Sequence, residues 1–545
     1  MSRVLVIGWD GGTWSVAAPL AAEGRLPALT GLRASGAEGT LETVPNMNSA
    51  PAWSTVATGV NPGRHGIFYF DEPVPGTYRR RVVNASRRTG PTLWRLASDA
   101  GKRIVVVNVP ISYPAESVNG FMVAGLDTPS KSLPGFSHPE GLTRRFPELF
   151  QDYIVEPGIG SLARAGRWEE AKRQLLVSVG GWASVASRLL DEEWDLAFVV
   201  FTPTDMAQHF FWEPDKRQVI DRVYEIHDEH TAALVEKARS QDPDVNVLIV
   251  ADHGGAVNTR GPEFMPVWLG DRGFTVKTRA GLKSRFMKKG FDLANRTLTR
   301  EQKQALARRL PRLREQAEAE SVVSGMDWSQ TRAYSDGLRD EVWINASGRE
   351  PEGIVAPEDY DTFAKELAEA VADIREVGTG RPVLDSARPK AELYHGPYLD
   401  RAPDVTLRFA LDVDRFCRGF EVSGREARQR MDAVAAAAPP TSGGHSPEGM
   451  FVAQGPNIRP DAVRGRLEDV TPTVLALLDA PIPSDLDGRV LPCVQGVEAV
   501  TSQAPARDRS SAGASAPEGD RDPATGYTEE EEEAVRRRLE DLGYL

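Results

Sequence analysis

The chain has 545 residues, a formal net charge of −13 and a pI of about 5.3, with 41% hydrophobic and 26% charged residues. A chain of that length can bury a large core, and its acidity argues against binding polyanions or anionic membranes as the main task. The two cysteines, Cys417 and Cys493, exclude a disulfide framework or a Cys-rich zinc site and read as buried small apolar residues.

The opening MSRVLVIGWDGG enters a strand pattern directly, with no basic n-region and no long apolar h-region, so no secretory signal is expected. No apolar run reaches about 18 residues, which predicts no membrane-spanning helix and a soluble, cytoplasmic protein. Residues 4–7 form a continuous β-branched and apolar run that ends in Gly8-Trp9-Asp10-Gly11-Gly12. A buried parallel strand closes in this way, and it delivers Asp10 to the edge where open α/β sheets place their ligands. An aspartate capping a glycine turn would look the same. The glycines do not spell GxGxxG, which speaks against a dinucleotide site.

Residues 46–66, NMNSAPAWSTVATGVNPGRHG, combine small and hydroxylated residues with two prolines and a glycine exit. Ser49-Ala50-Pro51 predicts the cap and first turn of a short helix. Backbone N–H groups and the positive end of the helix dipole there suit a phosphate or a developing alkoxide. Ser49 is thus either a plain cap or a nucleophile, and the residues further along decide between them.

Residues 91–100 read as a helix and 103–109 as a second buried strand, so strands and helices alternate as in a doubly wound sheet. After a long helical stretch at 167–190, a third strand at 195–201 runs straight into TPTDMAQH. Asp205 and His209 stand four apart, so a helical turn puts both on one side, where they can chelate one cation; a surface Asp/His contact has the same spacing. A helix over 216–238 precedes a fourth strand, 245–250, which ends in Ala251-Asp252-His253-Gly254-Gly255. Adjacent Asp and His before two glycines are the more specific signal, because both can turn toward one centre. His227 and His230 lie mid-helix and read as part of a solvated face. His445 sits in SGGHSP, ahead of a short strand at 449–453. Three Asp, three His and a serine at a helix start fit two adjacent N/O-ligated divalent cations flanking a hydroxyl nucleophile.

Five blocks now stand in order: GWDGG around Asp10, NSAPAWSTVATGVNPGRHGIF around Ser49, TDMAQHFFW around Asp205 and His209, ADHGG around Asp252 and His253, and SGGHSPEGMFVAQGP around His445. Over residues 8–456 they make the chain resemble the alkaline phosphatase superfamily and, within it, the bacterial soluble branch of the type I phosphodiesterase/nucleotide pyrophosphatase family. The resemblance implies a doubly wound, mainly parallel α/β sheet with helices on both faces, plus an inserted helical/α+β subdomain. It implies one divalent cation among Asp10, Ser49, Asp252 and His253 and another among Asp205, His209 and His445, with zinc as the first choice and manganese as the second. Ser49 is then the nucleophile that takes the phosphoryl group of a small-molecule phosphate ester. Gly59 and His65 also match and are expected to be structural. Where the family usually carries Asn three residues after the nucleophile, this chain has Ala52, so either Asn46 or Asn48 substitutes in holding a phosphoryl oxygen, or backbone N–H groups and the metals suffice. Trp53 stands where sulfatases carry Arg, which argues against sulfate esters. Asn48 and Trp53 are the expected substrate contacts.

The expected organisation is a first core part at 1–261, an insertion at 262–439 that partly rejoins the core, a last core part at 440–499, a disordered Pro/Ala/Ser/Gly-rich linker at 500–525 and a helix at 526–545. Within the insertion, 277–314 is basic and helical, most simply a solvated face. Residues 334–355 read as a strand and loop returning to the core, and 356–374 as a helix. Thr528 and Glu531 form a capping box, and Leu539, Leu542 and Leu545 would dock the last helix on the body or on a second subunit of a homo-oligomer. The rival readings are a phosphomonoesterase or phosphosugar mutase on the same scaffold, and a non-catalytic binding protein, against which the full ligand set weighs. Neither a nucleic-acid polymer nor a membrane is an expected partner.

Overall fold

The computed structural model describes residues 3–155, 157–258, 264–278, 325–337, 339–376, 379–410, 441–498, 500–503, 521–522 and 524–545. Most of the basic stretch at 277–314 and the middle of the expected linker, 504–520, lie outside the described residues.

Nine strands form one sheet in the spatial order Ala462–Arg466, Ala37–Glu42, Glu448–Gln454, Asn246–Val250, Val4–Trp9, Leu196–Phe201, Ile104–Val109, Gly120–Ala124 and Ser137–His138. Val4–Trp9 runs parallel to both of its neighbours, and Ile104–Val109 likewise. Glu448–Gln454 is antiparallel to the strands on either side of it. Val4–Trp9, Ile104–Val109, Leu196–Phe201 and Asn246–Val250 are buried at every position. Helices flank the sheet, and strands covered on both faces are written as continuous apolar runs rather than as an alternation.

Register is what matters for the site. Gly8 lies opposite both Val200 and Val250, and Trp9 lies opposite Phe201. The three strands therefore finish level, and the residues that follow them, Asp10, the helix Pro203–Phe210 and Asp252-His253, emerge side by side.

His227 departs from the expected solvated face. It is fully buried, and its ring meets Trp9 and Phe201 edge-on at centroid distances of 5.6 and 5.4 Å. The helix Gln218–Gln241 packs that side onto the sheet. Burial pushes the imidazole down to about 3, so it stays neutral.

Residues between Phe264 and Ala410 build an apolar core of their own. Phe264, Trp268, Ile344, Leu367 and Leu407 belong to a separate apolar cluster. It lies with a four-stranded sheet ordered Ala333–Tyr334, Glu341–Ile344, Val405–Phe409, Leu384–Pro389, all antiparallel. Glu341–Ile344 thus pairs within this small sheet instead of joining the large one. Asp404 is fully buried beside it, accepting from Arg349 Nη1 at 2.7 Å, Lys390 Nζ at 2.9 Å and the Ile344 amide at 2.7 Å. Burial pulls its carboxyl upward, but Arg349 and Lys390 overcome that and hold it well below the usual range.

The last helix, Glu529–Leu542, opens with the expected capping box of Thr528 and Glu531. Val535, Leu539 and Leu542 are buried in the main apolar cluster, so this helix docks on the body of its own chain. Among the described residues no helix is long and apolar enough to cross a membrane.

Candidate metal centre

Ser49 is not the helix cap. Asn48 takes that role in extended backbone, its side chain accepting from the Ala50 amide at 3.2 Å, and Ser49 is the first residue of the helix Ser49–Thr58. With capping done by its neighbour, the Ser49 hydroxyl lies 3.1 Å from His253 Nε2 and 3.4 Å from Asp10 Oδ1. His253 Nδ1 donates to the Gly254 carbonyl at 3.0 Å, which leaves Nε2 as the acceptor facing Ser49.

The Asp10 loop is braced from three directions. Trp53 Nε1 donates to Asp10 Oδ2 at 3.0 Å, Thr204 Oγ1 to the Asp10 carbonyl at 2.5 Å, and Gln208 Nε2 to the Gly11 carbonyl at 2.8 Å. The Gly11 amide in turn donates to Asp252 Oδ1 at 3.1 Å. Gly11 has a φ of +67°, and a Cβ there would stand 3.0 Å from Asp205 Cβ, so both the turn and the close approach require glycine.

Asp205 and His209 do fall on a helix, Pro203–Phe210, with His209 Nε2 3.3 Å from Asp205 Oδ2. His445 reaches them from a two-stranded ladder rather than from a loop. Gly443–Ser446 pairs antiparallel with Gly254–Val257, setting His445 opposite Gly255. Its Nε2 is then 3.4 Å from Asp205 Oδ1 and 3.1 Å from His209 Nε2, and its ring centroid is 4.0 Å from that of His253. A Cβ on Gly443 would stand 2.1 Å from the Gln208 carbonyl oxygen, so glycine at the start of this strand is what lets the ladder close over the helix.

All seven residues singled out as ligands or nucleophile therefore converge. Potential ligand atoms of Asp205, His209 and His445 lie within 4.8 Å of one another, as do those of Asp10, Asp205 and His253. Asp205 is common to both groups, where the resemblance divided the ligands without overlap.

The electrostatics ask for a cation. Burial, then the charges of Asp252 and Asp205, push Asp10 well above its ordinary value. Burial likewise raises Asp252 to about 7, while it drives His253 down to about 3. Asp205 goes the other way: burial opposes ionisation, yet His209 and His445 hold it well below the usual range. Asp252 Oδ2 and His209 Nδ1 are buried with no hydrogen-bond partner. A buried orphan carboxylate oxygen among imidazoles and acids is costly in the protein alone and is satisfied by a divalent cation. The N/O donor set suits zinc or manganese.

Of the expected substrate contacts, Asn48 is the helix cap, and Trp53 is fully buried with its indole behind Asp10. His65 is structural as expected: its Nδ1 accepts from the Ile67 amide at 3.2 Å and its Nε2 meets Thr55 Oγ1 at 3.0 Å. Sequence reasoning missed Thr204, Gln208 and Tyr544, whose hydroxyl donates to Asp205 Oδ2. Thr204 and Gln208 could have been found from their place on the Asp205–His209 turn. Tyr544 left no signal beyond following a helix-ending glycine.

A mainly parallel sheet whose level strand ends gather acids and imidazoles beside a helix-borne hydroxyl is the architecture of the alkaline phosphatase superfamily, metal-dependent hydrolases of phosphate esters. The profile of the type I phosphodiesterase / nucleotide pyrophosphatase family matches residues 4–413, and the chain belongs to that family. Among solved structures it is similar to phosphonoacetate hydrolase from Sinorhizobium meliloti 1021 in complex with phosphonoformate, with 17% identity and a TM-score of 0.52 over 88% of this chain and 95% of that one. The same enzyme with phosphonoacetate aligns at 16% identity and a TM-score of 0.52 over the same 88% and 95%. Murine ectonucleotide pyrophosphatase / phosphodiesterase 5 aligns at 13% identity and a TM-score of 0.43, over 88% and 95%. The likeness to phosphonoacetate hydrolase concerns the fold. No curated protein sequence matches the chain.

Proposed function

We propose that the protein hydrolyses small-molecule phosphate diesters in two steps, with Ser49 as nucleophile and a phosphoseryl intermediate. Asp10, Asp252 and His253 would hold one divalent cation and Asp205, His209 and His445 a second, zinc or manganese. The observation that carries this reading is the Ser49 hydroxyl, released from capping and standing 3.1 Å from His253 Nε2 and 3.4 Å from Asp10 Oδ1.

The bound cations would supply Lewis acidity, stabilising the Ser49 alkoxide and the charge on the phosphoryl oxygens. The chain's own residues do the rest. The start of the helix Ser49–Thr58 turns its dipole toward the incoming phosphoryl group. That field compensates for Ala52, which offers no side-chain donor. Trp53, Thr204 and Gln208 hold the Asp10 loop still, so that the distance between nucleophile and ligands is set before substrate arrives.

The test is turnover of bis-p-nitrophenyl phosphate against p-nitrophenyl phosphate, with zinc, manganese or no added metal. The diester is expected to be turned over faster, and only with metal. Phosphonoacetate, bound in one similar structure, serves as a control for C–P cleavage. Ser49→Ala is expected to lower kcat on the order of 10⁴-fold or more with cation content unchanged. A Ser49→Ala protein that keeps full hydrolysis rules the assignment out.

A further inference from the structure

The last residues of the chain reach into the metal centre. The helix Glu529–Leu542 is fixed to the body along its length: Arg538 Nη1 donates to the carbonyls of Leu126 at 2.7 Å and Thr128 at 2.6 Å, and Arg164 pairs with Asp541 at 2.6 Å. Just before the helix, the Tyr527 hydroxyl donates to the Asp127 carbonyl at 2.6 Å. The helix ends at Gly543, whose φ of +87° turns the chain, and the Tyr544 amide closes the turn on the Leu539 carbonyl at 2.9 Å. That turn sends Tyr544 inward. It is 5% exposed, its ring lies 4.9 Å from Phe70 and 5.5 Å from His209, and its hydroxyl donates to Asp205 Oδ2.

Asp205 is the acid common to both groups of candidate ligands. Its Oδ1 faces His445 and its Oδ2 faces His209. A carboxylate held only by imidazoles that themselves ligate can rotate about its Cβ–Cγ bond. A phenol on one oxygen stops that rotation and leaves the remaining lone pairs aimed at a cation.

We infer that Tyr544 is a positioning residue of the metal centre: by fixing the Asp205 carboxylate it sets the affinity and geometry of the cation held by Asp205, His209 and His445. The inference rests on the two-cation reading above. It makes a residue 339 positions beyond Asp205 in sequence part of the site.

The test uses the full chain, stripped of metal and titrated with zinc against a chelating indicator, and separately with cobalt(II) to record the absorption of each centre. In Tyr544→Phe, which keeps the ring against Phe70 and removes only the hydroxyl, the zinc affinity of the centre held by Asp205, His209 and His445 is expected to fall about 10- to 100-fold, and that of the other centre, which Asp205 only borders, by clearly less. The cobalt band of the weakened centre should shift. Removal of Tyr544 and Leu545 should weaken the same centre and lower turnover. Unchanged zinc affinities in Tyr544→Phe against a metal-binding wild type overturn the inference alone. So does an equal loss at both centres, which marks a merely structural role, and so does a rise in turnover on removing the two residues, which marks a plug. A wild-type chain that takes up no cation overturns the two-cation reading and the inference with it.

Discussion

Asp252 and Asp404 are both fully buried carboxylates at the end of a strand or beside one, yet the protein treats them in opposite ways. Asp404, beside the small four-stranded sheet, is met by Arg349, Lys390, the Tyr360 hydroxyl and a backbone amide, and its proton affinity is low. Asp252, at the edge of the large sheet, has one oxygen on the Gly11 amide and the other 3.3 Å from His253 Nε2 with no hydrogen-bond donor, and burial lifts it to about 7. The first acid carries its countercharge within the fold and holds structure together. The second is left short of positive charge beside other acids and the neutral imidazole of His253, which is the state a cation-binding site must be in before it is loaded.

The strongest way to break this comparison is Asp404→Ala. It strands the Arg349 and Lys390 charges and is expected to destabilise the protein by about 3–5 kcal/mol, read from denaturant unfolding, without altering cation content. Asp252→Asn should do the reverse, leaving the metal-free protein at least as stable and abolishing uptake at its centre. Two variants with the same phenotype would erase the distinction.

A pH series sharpens it. Asp404 has a depressed value in the fold, so its contribution is complete above the ordinary 3.8 and is lost as pH falls through and below it. Asp252 is raised from 3.8 to about 7, so in the metal-free protein its contribution is present below 3.8 and is lost as pH climbs toward 7. Cation affinity should rise over that same upper window as the proton leaves. Melting temperature and zinc affinity measured from pH 4 to 8 should therefore move in opposite directions in this range; parallel curves would count against Asp252 as a ligand.

The smallest effect concerns support rather than ligation. Trp53→Phe keeps the buried ring and removes only the hydrogen bond to Asp10 Oδ2. Cation affinity at the Asp10 centre is expected to drop about 10- to 100-fold with the fold intact, as measured by chelator competition. An unchanged affinity would place Trp53 in the core alone.

The four central strands were legible because burial on both faces leaves no room for polar alternation, and the acids directly after them could be read as edge residues. Asp205 and His209 were legible from helical spacing alone. His445 was visible as a residue but not as the member of a ladder with Gly254–Val257, since nothing local announces a pairing partner almost two hundred positions away. The amphipathic last helix declared that it must dock, but amphipathicity carries no address, so neither its seat nor Tyr544 could be read. His227 misled for a related reason: a polar residue mid-helix looks solvated until the aromatic rings beneath it are known.

The level finish of the three central strands has a mechanical meaning. Gly8 is hydrogen-bonded in step with neighbours on both sides, so a one-residue slip of that strand would carry Asp10 about 3.3 Å along the sheet and flip it to the other face. Metal–oxygen bonds tolerate only a small fraction of that displacement. The hydrogen-bond ladder is thus the ruler that spaces the ligands, and the apolar strands, which touch no substrate, are where the accuracy of the centre is kept.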